Sequence, residues 1–166
     1  MEPSKTKYAM QYGLYLGVYI CLRFFLGLTH LALFSVISFI MLFGIPVLIY
    51  YVIKNYRDKQ LNGVISLGAA WGLGCGLYFF SGMIVELVQF VYFRFINQDI
   101  LAQAAEAAKV MYEKFNVSVE NINMIDKIMQ PHFYVISDFF VSFILGGCII
   151  SLIIAGFVQR KANPFQ

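Results

Sequence analysis

Residues 64–96 read VISLGAAWGLGCGLYFFSGMIVELVQFVYFRFI. A helix needs ~20 apolar residues to cross a hydrocarbon core, and this run exceeds that. A backbone in lipid must satisfy its own hydrogen bonds, so the run is helical. Its surplus length implies tilt, or a helix that continues beyond the bilayer. Three further apolar runs lie at about 8–29, 31–53 and 133–158. The chain of 166 residues is 60% hydrophobic, 17% aromatic and only 13% charged, with a mean hydropathy of +0.74. Soluble domains carry about a quarter charged residues. That comparison excludes an ordinary soluble enzyme and a disordered tail. The 12 basic and 9 acidic residues leave a net charge of +3, too sparse for a phosphate-tracking surface, so no nucleic-acid partner is expected. The fold class is an all-α integral membrane protein: a single domain of four transmembrane helices, with an extracytoplasmic helical hairpin between spans three and four. Membrane lipid is its first partner.

The first run is interrupted by Arg23 and has the length of a signal peptide. No small-x-small cleavage site ends it, and Gly27 to Leu31 leads at once into the next run, so it is expected to stay in the membrane. Basic residues set the orientation. Lys5, Lys7, Lys54, Arg57, Lys59, Arg160 and Lys161 cluster on one side. Arg94, Lys109, Lys114 and Lys127 are spread along the other, among Asp99, Glu106, Glu113, Glu120 and Asp126. Both termini are therefore expected in the cytoplasm. Tyr8, Tyr12, Tyr50 and Tyr51 fit as inner interfacial anchors, with Tyr92, Phe93, Phe133 and Tyr134 as outer ones.

The outer stretch, 97–131, is the part able to fold in water. Leu101, Ala104, Ala105, Ala108, Met111, Tyr112 and Phe115 share one helical face. Asn116 breaks that pattern. Ser118 suits an N-cap for a second helix carrying Val119, Ile122, Ile125 and Met129, which Pro131 ends. Asn116-Val117-Ser118 matches a glycosylation sequon, meaningful only in a glycosylating secretory pathway.

Catalytic motifs are missing. The chain has no G-x-S-x-G, H-E-x-x-H or P-loop, so neither enzymatic activity nor a cofactor is expected. Cys21, Cys75 and Cys148 all fall inside spans without C-x-x-C spacing, and read as apolar filler. His30 and His132 read as interfacial, with no metal site expected. Small residues carry more. Gly68, Gly72 and Gly76 form a doubled G-x-x-x-G, Gly13 and Gly17 a single one, and Gly147, Ser151 and Ala155 continue the spacing in span four. Such faces let helix backbones approach where lipid supplies no hydrophobic drive. Gly68, Gly72, Cys75, Phe79, Gly82, Glu86 and Gln89 share one face of span three, which marks it as the central packing helix. Gly44 and Pro46 predict a kink in span two.

Arg23, Glu86 and Asp138 are the ionisable residues inside spans. Charges there cost at least ~2.5 kcal/mol at a helix centre, and they face a partner or a cavity. All three fall at comparable outer-leaflet depth. With Gln89 they are a candidate polar cluster, in which one arginine could bridge two carboxylates. The competing reading has Arg23 snorkel to the headgroups and Asp138 reach interfacial water.

Tyr56-Arg57-Asp58 followed by Gly63-Val64-Ile65-Ser66-Leu67-Gly68 resembles a family of small four-span membrane proteins of Bacteroidota, domain of unknown function 4199. Phe95-Ile96-Asn97 and Ile149-Ile150-Ser151-Leu152-Ile153-Ile154-Ala155 fit it too. The chain departs from the pattern at Asn62, where glycine is usual, at Leu67, usually aromatic, and at Gln98, often proline. The resemblance implies a bacterial inner-membrane protein of unassigned function. Genes of such proteins often lie beside a polyprenyl-phosphate-type glycosyltransferase, which implies an accessory to a glycosyl-lipid enzyme. Residues and resemblance together lead to a non-catalytic protein acting through helix packing with itself or another inner-membrane protein. The alternative is a small oligomeric transporter or channel using Arg23, Glu86 and Asp138.

Overall fold

A computed structural model describes residues 4–29, 31–114 and 119–160. His30, Phe115, the 116–118 sequon with its proposed cap, and Lys161 lie outside the described residues, as do the side chains of Glu113, Val119, Glu120 and Ile122. Among the described residues seven α-helices follow in order: α1 (Lys5–Gly27), α2 (Ala32–Gln60), α3 (Leu67–Val91), α4 (Asp99–Lys114), α5 (Val119–Ile128), α6 (Pro131–Asp138) and α7 (Gly147–Val158). A π-helical turn, Tyr92–Ile96, extends α3, and a π-helical segment, Phe139–Gly146, joins α6 to α7. Four stretches are long and apolar enough to cross a membrane: Lys5–Gly27, Ala32–Gln60, Leu67–Ile96 and Pro131–Val158, the fourth span.

Helix ends differ from the apolar runs for local reasons. α2 continues past residue 53 through Lys54, Asn55, Arg57 and Lys59, because a helix need not stop where the bilayer does. It ends where Asn62 and Gly63 take φ of 50° and 84°. The amides of Leu61 and Gly63 both return to the Arg57 carbonyl, at 3.2 and 2.9 Å. Asparagine is among the few residues that tolerate this left-handed backbone, which explains how Asn62 can stand where the family pattern has glycine. α3 starts at Leu67 rather than residue 64 because Val64–Ser66 is not helical. Ile65 instead forms an antiparallel bridge with Arg160 (3.1 and 3.0 Å), and the Ser66 hydroxyl accepts the Ala69 amide at 3.3 Å as an N-cap. Pro131 occupies the first turn of α6, where its missing N–H costs nothing.

The chain divides into two compact units, residues 1–85 with 142–166, and residues 86–141. In the first, α2 packs on α1 and on α7, around a core that includes the fully buried Ile49, Ile53, Leu73, Leu77 and Val158. In the second, α4 and α5 pack together, burying Leu101, Ala105 and Ile125. Lys109 of α4 reaches Glu106 at 3.0 Å and Asp126 of α5 at 2.6 Å. Phe93 meets Tyr134 edge-on, ring centroids 5.5 Å apart.

Candidate functional site

Glycines in the first unit act as sockets. A Cβ on Gly74 would lie 2.6 Å from the Ser151 hydroxyl, one on Gly147 would lie 2.6 Å from the Tyr78 ring, and one on Gly82 would lie 2.6 Å from the Phe143 ring. Each step of four residues along α3 (74, 78, 82) matches four residues back along the fourth span (151, 147, 143). This is an antiparallel register in which each ring fills the space of an absent side chain. On α1, Gly13 faces Phe80, and Gly17 faces Ile84 and the Ser81 carbonyl. Gly76 sits 3.1 Å from the Ala9 methyl by the same measure. Ala155 and Ser151 are fully buried. Gly72 meets only the flexible end of Lys5, and Gly68 meets nothing within 4 Å. Gly74, outside the four-residue glycine series, is the socket that sequence reasoning missed. The buried Ser151 opposite it follows the small-residue spacing of span four.

A second arrangement sits where α2 ends and α3 begins. Arg57, 8% exposed, donates from Nη1 to the Val158 carbonyl at 2.9 Å and from Nε to Asp58 Oδ1 at 2.7 Å. Val158 closes α7, where carbonyls lack intrahelical donors and a cation is favoured. Together with the Ile65–Arg160 bridge, this ties the α2–α3 turn to the end of α7. Tyr56 is buried against Tyr8, whose hydroxyl donates to the Val52 carbonyl at 3.3 Å and accepts from Asn55 at 3.1 Å. The sequence reading used Arg57 only as an inner positive charge and as a mark of resemblance. Its actual partner, a backbone carbonyl a hundred residues away, leaves no trace in the motif.

Tyr8, Tyr12, Tyr15 and Tyr19 recur at steps of four, three and four on α1. Tyr12, Tyr15 and Tyr19 line an open cleft of ≈ 390 Å³ against Leu48 and Val52 of α2. The Tyr19 hydroxyl donates to the Met41 carbonyl at 2.9 Å and lies against Gly44, where any side chain would strike it. Gly44 thus provides clearance in a helix that runs through Pro46. The heptad spacing of the tyrosines was the available signal. Cys75 and Cys148 lie with their sulfurs 3.4 Å apart, and the Trp71 indole donates to the Cys148 carbonyl at 3.0 Å.

The intramembrane ionisable residues fall in different units. In the first, Arg23 Nε donates to the Ser38 carbonyl at 3.2 Å, and Ser38 Oγ donates back to the Arg23 carbonyl at 3.0 Å. In the second, Glu86 is buried beside Asp138. Gln89, three residues further along α3, is half-buried.

Four helices able to span a membrane, with no strand among the described residues, define an all-α multi-pass membrane protein. Residues 7–160 match the family model described as protein of unknown function DUF4199, and the chain belongs to that family. Neither the curated proteins nor the solved structures contain a match to this chain.

Proposed function

We propose that this is a non-catalytic protein of the bacterial inner membrane, both termini cytoplasmic, acting through helix-packing contacts with itself or a membrane partner. One observation carries the reading. The bundle fills most of its glycine sockets internally, yet Gly68 stays open and Gly72 is covered only by a movable lysine end. An open small-residue step on the exposed side of a helix long and apolar enough to span a membrane is the kind of surface that a second helix packs against. The resemblance suggests an accessory role to a glycosyl-lipid enzyme as one form of that partnership. The test is co-purification in mild detergent with mass determination. The native protein should carry a stoichiometric second chain, its own copy or another, and Gly68→Leu should lose it while keeping its thermal stability. A monomeric native protein, or unchanged assembly in the variant, would overturn the reading. A transporter or channel is the second reading, favoured by the buried Glu86 beside the half-buried Asp138.

A further inference from the structure

Glu86 is only 5% exposed, and neither of its carboxylate oxygens meets a hydrogen-bond donor among the described residues. A polar group within reach is another acid. The Asp138 carboxyl stands close enough for a hydrogen bond, which forms only when one of the two carries a proton. The Tyr134 phenol, one turn before Asp138, lies within electrostatic range of both carboxyls. All three belong to the second unit, where the Phe93–Tyr134 ring contact fixes α6 against the end of span three. Asp138 is also the last α-helical residue before the chain winds into the π-helical segment at Phe139. Such segments recur at functional sites in helical proteins.

A carboxylate withdrawn from water without a donor is costly, and a second one beside it adds repulsion. A lysine, arginine or amide at position 138 would relieve Glu86; this chain has an acid there. Glu86, buried and without a donor among the described residues, therefore calls for something positive and small at its carboxylate oxygens. We propose that Glu86 and Asp138 form an intramembrane site that holds one monovalent cation, a proton shared between the carboxyls or an alkali ion. The site goes beyond the packing role and does not depend on it.

The full chain in detergent is treated with dicyclohexylcarbodiimide, an apolar reagent. A protonated carboxyl adds across one of its C=N bonds, with no leaving group and no oxidant. Adducts are mapped by mass spectrometry in choline chloride and in sodium chloride. In choline, Glu86 should be modified in the native protein. The adduct should vanish from that peptide in Glu86→Gln and fall several-fold in Asp138→Asn. Labelling unaffected by sodium identifies the cation as a proton, and suppression by sodium identifies an alkali ion. Absence of a Glu86 adduct in choline would overturn the proposal, and this native-protein measurement stands even if a variant misfolds. Equal labelling in folded Asp138→Asn would likewise remove Asp138 from the site.

Discussion

A methyl group on residue 74 would lie 2.6 Å from the Ser151 hydroxyl oxygen and 2.7 Å from its Cβ, with Ile53 closing the third side at 3.4 Å. No flexible chain end can retreat there, because Ser151 is fully buried on α7. At Gly72 the obstacle is the terminal nitrogen of Lys5, which can swing away. Gly74→Ala should therefore lower stability by about 1–3 kcal/mol, the usual cost of overpacking, while Gly72→Ala should be close to neutral. Thermal unfolding of both variants in one detergent decides it, and equal losses would show that the α3–α7 register is wrong. The four-residue glycine repeat pointed to α3 as a packing helix. It could not rank the positions, because α3 has neighbours on more than one side. Gly76 faces α1, Gly74 faces α7, and the repeat records neither partner.

Between α4 and α5 the polar link is Lys109. Asp126 foremost, then Glu106, hold its ammonium group above the usual lysine range. A raised lysine value means that the charged form is favoured by folding. The contribution is complete below the unfolded value of about 10.4 and is lost as pH rises through the folded one. Amide exchange in α5 should be slower in the native protein than in Lys109→Met at matched pH, and this difference should persist to about pH 10 and disappear in stronger alkali. A difference that ignores alkali would assign the protection to packing alone. Existence of the elements was legible because bilayer thickness imposes a minimum length on apolar runs. Their ends were not, because capping decides them: Asn62 and Gly63 stop α2, and Ser66 starts α3 three residues late. The π-helical Phe139–Gly146 was also hidden, since its residues FFVSFILG differ in nothing from an α-helical span.

On the scale of the whole molecule, the distribution of basic residues still governs the expected orientation. A cysteine introduced at Glu106 should react with an impermeant thiol reagent in intact spheroplasts, and one at Lys59 should react only after lysis. The opposite pattern would invert the protein. Arg57 and Val158 stand 101 positions apart along the chain, and that distance is also an interval of time. At ribosomal rates of about 5–20 residues per second, the arginine emerges roughly 5–20 s before the carbonyl it will hold. During that interval α2 and the start of α3 are already made, while the buried cation has no acceptor from α7. This end of the bundle can therefore lock only when synthesis has passed residue 158, and a chain interrupted earlier keeps an arginine without its α7 acceptor, a chemical sign by which an unfinished copy differs from a finished one.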